Sequence, residues 1–390
     1  MEVYQIAFFG ATNSGKSTLV NALAGQEVSL VSPQPGTTTD PVRKRIELPG
    51  IGACVLVDTA GYGDGGALGG ERERRSRSVI DGTDVAVLLC SGHPEDEKWE
   101  ALLQKAGVPV VQVELGGPER SDTECLLRRI AEALPKDAQR WLTGDLVRSG
   151  DSVLLVMPQD SAAPKGRLIL PQVQLLRELL DRGCVPHCCT PESLEAAMAS
   201  LSQAPALVIT DSQVFARVND ALPPDWPLTS FSILLAAAKG DARVFLAGAA
   251  AIDRLRAGDR VLIAEACTHV PDTEDIGRVK IPALLQRAVA TLGHVRGRGP
   301  SLAMGGAGAN AEAVCNPTTP TGLQVEVAAG NDFPEDLSPY SLIIHCGACV
   351  ATASLVRARL RKALLAGVPI TNYGFALAKL QGILERVCIP

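Results

Sequence analysis

Ile6-Ala7-Phe8-Phe9-Gly10-Ala11-Thr12-Asn13-Ser14-Gly15-Lys16-Ser17-Thr18-Leu19-Val20 is the stretch on which the reading of this chain turns. An apolar run of strand type enters a glycine-bounded loop, and an apolar helix leaves it. Gly10 to Ser17 fit GxxxxGK[ST] in the strand-loop-helix setting that this pattern requires. Backbone N–H groups of the loop, from Gly10, Asn13, Ser14 and Gly15 through the helix start at Thr18, are suited to cradle nucleotide phosphates. Lys16 is then expected to reach the terminal phosphates, and the Ser17 hydroxyl to bind magnesium.

Two further elements follow in the order that a GTPase needs. Gly36-Thr37-Thr38-Thr39-Asp40 is a hydroxyl-rich switch in which Thr38 is expected to complete the magnesium shell. Asp58-Thr59-Ala60-Gly61 follows the apolar run Cys54 to Val57, so Asp58 lies at a strand end and holds magnesium through water, with the Gly61 N–H toward the γ-phosphate. These residues resemble the translation-factor class of GTPases, in the branch that includes the tRNA-modification and ribosome-assembly enzymes. In that branch an asparagine placed like Asn13 helps to bind a potassium ion, a role the resemblance carries to Asn13. Tyr62 stands where other GTPases place a water-orienting glutamine, so catalysis is assigned to Lys16, Thr38 and Asn13. The guanine-reading NKxD element is absent after Val108 to Val113, and Glu114 is a weak substitute for its carboxylate.

At 390 residues, with 46% hydrophobic and 21% charged positions, the chain is long enough for two or three cores. A net charge of −6 leaves no basic excess for nucleic acid, and no apolar run is long enough to span a membrane. No secretory signal opens the sequence, and eleven cysteines, an odd number, argue against a disulfide framework. A cytoplasmic location is expected.

The predicted fold class is α/β in three parts: a P-loop GTPase domain over 1–145, a small α/β middle domain over 150–240, and a C-terminal α/β domain over 241–390. The first alternates the strands Ala53 to Asp58, Asp84 to Leu89 and Val108 to Val113 with helices around a parallel sheet. Predicted elements of the second are the strands Val153 to Met157 and Leu207 to Thr210 and the helix Gln172 to Arg182. In the third they are the strands Val244 to Ala247, Arg260 to Ala264, Ser341 to Ile344 and Val368 to Thr371, with the helix Leu355 to Ala366. Gly293 to Gly322, rich in Gly, Ala, Pro and Thr, reads as a long surface loop.

Cys267-Thr268-His269 and His345-Cys346-Gly347-Ala348-Cys349 both follow apolar strands, at the carboxyl edge where an open α/β sheet forms its ligand crevice. CxxC aims two thiolates at one centre, and Cys267 adds a third. Three thiolates without an acidic cluster suit zinc or an iron-sulfur cluster, and an incomplete set of three favours a cluster with one replaceable ligand. His269 and His345 are candidates for the fourth position or for a supporting role. Cys184, His187, Cys188 and Cys189 make a poorer set, since adjacent cysteines on an extended chain point to opposite sides. Cys54, Cys90 and Cys125 read as small apolar core residues.

With CxH followed by HCxxC, and with Ala163 to Val173, Asp275 to Pro282 and Pro369 to Gly374 beside them, the chain resembles the HydF family of FeFe-hydrogenase maturation GTPases along nearly its whole length. The resemblance implies a GTPase domain, a dimerising middle domain and a C-terminal domain that holds a 4Fe-4S cluster on Cys267, Cys346 and Cys349, with His269 and His345 near its open iron. It also implies GTP or GDP with Mg2+, possession of a transient diiron precursor received from radical-SAM maturases, and delivery to apo-FeFe-hydrogenase by a homodimer. The stretch between His269 and His345 is longer than is usual in that family, and the Gly-rich loop accounts for the excess. The competing reading is a potassium-activated GTPase of RNA modification or ribosome assembly whose C-terminal cysteines hold zinc.

Overall fold

The computed structural model describes residues 3–25, 41–63, 69–114, 116–117, 122–135, 141–159, 168–266, 276–296, 322–330 and 332–390, with backbone alone for 69, 71 and 292–296. Two compact units result: Met1–Gln139 with Ala351–Arg359, and Arg140–Val350 with Leu360–Pro390.

In the first unit, β1 (Tyr4–Gly10), β2 (Val42–Leu48), β3 (Gly52–Asp58), β4 (Val85–Cys90) and β5 (Val110–Glu114) form one sheet in the order β2-β3-β1-β4-β5. All neighbours are parallel except β2, which pairs antiparallel with β3. The helices are α1 (Lys16–Ala24), α2 (Gly69–Ile80), α3 (Glu95–Lys105) and α4 (Thr123–Ala133). Side chains alternate across a strand, and β1 shows the consequence. Ile6 and Phe8 join Leu19, Val20, Leu126 and Ile130 in one core, while Ala7 and Phe9 join Val79, Trp99 and Leu103 in another. The antiparallel strand β2 was not anticipated, because Arg43, Lys44 and Arg45 break any apolar run. Such charges blunt an exposed sheet edge.

The second unit contains two four-stranded parallel sheets. One has β6 (Ser152–Val156), β7 (Val185–Cys189), β8 (Leu207–Thr210) and β9 (Leu228–Ser230) in the order β7-β6-β8-β9. With it go α5 (Leu170–Asp181), α6 (Leu194–Ser200), α7 (Phe215–Ala221) and α8 (Phe231–Lys239). The other sheet has β10 (Arg260–Glu265), β11 (Gln324–Ala329), β12 (Leu342–His345) and β13 (Ile370–Asn372) in the order β11-β10-β12-β13, with α9 (Ala242–Ala249), α10 (Ile281–Arg296) and α12 (Tyr373–Leu380), while the division between the units falls within α11 (Ala353–Leu365), after Arg359. The chain end returns to the first of these sheets, where Cys388 N–H donates to Leu228 O at 2.8 Å and Arg386 Nη1 donates to Asn219 O at 3.0 Å.

Two expectations fail. Val244 to Ala247 is helical, not extended: Asp241 accepts from the N–H groups of Arg243 and Val244 at 2.8 and 3.2 Å and starts α9. A four-residue apolar run does not distinguish the two states by itself. The expected loop at Gly293 begins inside α10, which runs to Arg296, and 297–321 lie outside the described residues. Among the described residues no helix is long and apolar enough to cross a membrane.

Candidate nucleotide and thiol sites

The carboxyl end of β1 turns through the phosphate-loop sequence into α1. Asn13 takes φ 64°, a left-handed conformation that asparagine tolerates better than most residues, and its side chain is exposed with that of Thr18. Lys16 is buried at 6% exposure, and its Nζ donates to Gly10 O at 2.9 Å and to Ala11 O at 2.8 Å. Burial lowers its pKa to about 8, and the negative charge of Asp58 offsets part of that shift.

Asp58 ends β3 fully buried, and Ser17 Oγ donates to its Oδ2 at 2.6 Å. A hydroxyl from a helix start and a carboxylate from a strand end thus meet at one point, a donor set of the oxygen type that magnesium takes. Next along the chain, Thr59 Oγ1 donates to Phe8 O at 2.6 Å. Gly61 passes so close to the phosphate loop that a Cβ there would lie 2.6 Å from Thr12 Cα. Only glycine fits. Thr12 N–H then donates to Tyr62 O at 2.9 Å.

The Tyr62 side chain turns inward. It is 5% exposed, donates its hydroxyl to Asp96 Oδ1 at 2.6 Å, and stacks on Trp99 with ring centroids 5.3 Å apart. Burial first, and then the bond to Asp96, push the phenol pKa well above its usual range. The sequence marked Tyr62 as a departure but offered no sign of its partners. Thr38 lies outside the described residues. Glu114 ends β5 exposed.

In the second unit, β10 and β12 are parallel neighbours, with Ala264 opposite His345. Cys346 N–H donates to Ala264 O at 2.9 Å, and Ala266 N–H donates to Cys346 Sγ at 3.1 Å. The sulfur of Cys346 is therefore bonded to the residue immediately before Cys267. Cys267 and His269 lie outside the described residues. His345 is 1% exposed, and its Nδ1 lies 2.9 Å from Cys346 O. A carbonyl only accepts, so Nδ1 carries the proton in that contact.

Ala348 takes φ 52° in the turn between the two thiols, and Lys239, at the end of α8, donates to Ala348 O at 2.7 Å and Cys349 O at 3.3 Å. That clamp had no motif to announce it. Cys346 and Cys349 are both part-exposed, and among the described residues no group of three or more His, Cys, Asp or Glu forms a ready metal cage. Cys188 is exposed and Cys189 part-exposed on β7; Cys54 is buried, while Cys90 and Cys125 are only partly so.

The chain matches the Hydrogen maturase F dimerization domain over residues 142–240, the Hydrogen maturase F tetramerization domain over 243–296 and 313–390, and the 50S ribosome-binding GTPase family over 5–114. The tRNA modification GTPase MnmE of Acidiphilium cryptum (strain JF-5) is 40% identical over 121 residues, covering 30% of this chain and 27% of that protein. MnmE of Myxococcus xanthus (strain DK1622) is 35% identical over 146 residues, 36% of this chain and 30% of that one. The chain thus spans less than a third of the length of these curated relatives. A variant of Aquifex aeolicus Era bound to GDP·AlF4− aligns with 18% identity and a TM-score of 0.32, over 49% of this chain and 93% of that one.

Proposed function

We propose, from the premise that the chain belongs to the hydrogen maturase F family, a GTPase domain fused to oligomerisation domains, that it is a scaffold and carrier in FeFe-hydrogenase maturation. It receives a diiron precursor bearing carbonyl, cyanide and dithiolate ligands from radical-SAM maturases and passes it to apo-hydrogenase. We assign residues 1–145 to the nucleotide switch, 150–240 to pairing of subunits and 241–390 to the cluster. Cytoplasmic location and a homodimeric or larger assembly belong to the same reading.

One observation carries it: the Ala266 N–H bond to Cys346 Sγ, which ties the chain just before Cys267 to the first thiol of the CxxC. Hydrogen bonds of this kind are what cluster thiolates receive from a protein, and they stabilise sulfur in its charged form. Cys267, Cys346 and Cys349 would hold a 4Fe-4S cluster, with His345 or His269 beside the remaining iron. The cluster would supply an exchangeable site for cargo. Lys239 bonds the carbonyls of Ala348 and Cys349 and so steadies the backbone of the turn that carries the second thiol.

In the nucleotide domain, Lys16 places its positive charge beside the terminal phosphates of GTP, and Ser17, Thr38 and, through water, Asp58 would hold Mg2+. Magnesium would neutralise the developing phosphate charge. Tyr62 is committed to Asp96 and Trp99, so it orients no water; Asn13 would hold a potassium ion, which would supply positive charge at the phosphates. Hydrolysis is accordingly slow and regulatory.

The test is transfer. Anaerobically loaded protein, freed of unbound iron and mixed with apo-hydrogenase, is expected to yield hydrogen evolution; loaded protein that never activates the hydrogenase would refute the carrier role. The relatives in tRNA modification favour a second reading, a potassium-activated GTPase of RNA modification or ribosome assembly with zinc on the C-terminal cysteines. Their likeness is confined to a small part of this chain, and stoichiometric zinc without sulfide would support them.

A further inference from the structure

Tyr62 is joined to the phosphate loop by its backbone and to α3 by its side chain. On the loop side, Thr12 N–H donates to Tyr62 O at 2.9 Å, Tyr62 N–H donates to Gly10 O at 3.4 Å, and Ala11 and Tyr62 form an isolated parallel bridge. On the helix side, the ring lies nearly flat on Trp99, at 12° between planes, and the hydroxyl donates to Asp96 Oδ1. Trp99 is itself fixed, 2% exposed, with Phe9 of β1 packed at 5.5 Å on its ring.

Asp96 is equally well held. Its other oxygen, Oδ2, accepts from Ser91 N–H at 2.8 Å and His93 N–H at 3.1 Å, which ties it to the loop after β4. A carboxylate with all of these donors does not rotate freely, and a hydrogen bond to a charged acceptor is roughly twice as strong as a neutral one. So the peptide that carries Gly61 is held between two rigid supports, the phosphate loop and α3.

We infer that Asp96 is a positioning residue for triphosphate recognition: acting through Tyr62, it holds the Asp58–Gly61 loop in place before the γ-phosphate arrives. The inference rests on the nucleotide-binding reading of the phosphate loop. Its consequence is selective. In GTPase switches the γ-phosphate, not the β-phosphate, is what the loop after the strand-end aspartate contacts. Preorganising that loop lowers the ordering cost of binding a triphosphate and leaves diphosphate binding unaffected. The side chain that other GTPases turn toward water is here a peg, and Asp96 is its socket.

Two variants and their combination test this, with GDP and a non-hydrolysable GTP analogue as probes in calorimetric titrations. Tyr62→Phe keeps the ring on Trp99 and removes only the hydroxyl. Asp96→Asn keeps one oxygen for the Ser91 and His93 N–H groups and turns an uncharged amide toward the Tyr62 hydroxyl, so the charge-assisted bond is replaced by a neutral one. Each is expected to weaken the GTP analogue about tenfold, the loss of one charge-assisted bond, while GDP affinity stays within about twofold. In the double variant the loss is smaller than the product of the two single losses, because both remove the same bond. The inference is overturned if analogue and GDP weaken together, if neither changes, or if the single losses multiply. Should Asp96→Asn fail to fold, Tyr62→Phe alone decides by the ratio of the two affinities. Binding of neither nucleotide by the wild-type chain overturns the functional reading and this inference with it; normal wild-type binding with an unchanged ratio in the variants overturns the inference alone.

Discussion

Lys16 gives up its proton more easily than a solvated lysine, because burial holds its pKa near 8. Bound phosphates favour the protonated amine, so the group titrates higher in the complex than in the free protein. Below about pH 8 the amine is already charged and affinity is flat. Above it, binding must take up a proton, and the dissociation constant is expected to rise by up to about tenfold per pH unit. Calorimetry from about pH 7 to about pH 9.5 checks the slope; a profile that stays flat throughout contradicts the role given to Lys16. Asn13, exposed at the loop's left-handed turn, gives a second test, since GTP hydrolysis is expected to be several-fold faster in potassium than in sodium at equal ionic strength. Equal rates would remove potassium from the mechanism. Lys16, Ser17 and Asp58 were legible in the sequence because local motifs fix them. Asp96 and Lys239 were not, because each meets its target across the fold, 34 residues from Tyr62 and 109 from Ala348, and neither separation leaves a pattern.

The helix α9 lies against β13 with no room to spare. A Cβ on Gly248 would fall 1.9 Å from Ile370 O, a rigid backbone atom, so Gly248→Ala must push helix and strand apart. The expected cost is about 3 kcal/mol of stability, read by urea denaturation; a loss below about 0.5 kcal/mol would show that the packing yields. The turn after β12 behaves differently. Lys239→Met keeps the length of the side chain and removes the donors that bond Ala348 O and Cys349 O. Cluster retention during anaerobic gel filtration is expected to fall by half or more, of the order that loss of a supporting shell produces in metal sites. Retention equal to that of the wild type would make the clamp irrelevant to the thiols. At this level the parallel strands were easy to read, since β4, β6, β10 and β12 are buried on both faces and appear as unbroken apolar runs. β2 and α9 were missed for opposite reasons, one too polar to look like a strand and the other too short and apolar to look like a helix.

Across the whole chain, a GTPase domain precedes two segments that belong to hydrogen maturase F, and the family's own domain descriptions make it an oligomeric protein. Composition set expectations early: a net charge of −6 argued against nucleic acid as a first partner, and an odd number of cysteines argued against a disulfide framework. The path of the chain end was not readable, because the bond from Cys388 N–H to Leu228 O links residues that no short motif connects. The most direct measurement is the iron and acid-labile sulfide content of anaerobically reconstituted protein, taken beside Cys346→Ser. Iron and sulfide in equal amounts on the wild-type chain, with a marked loss of both in the variant, is the expected result. Zinc without sulfide on the wild-type chain, or a variant that keeps its full iron, would contradict it.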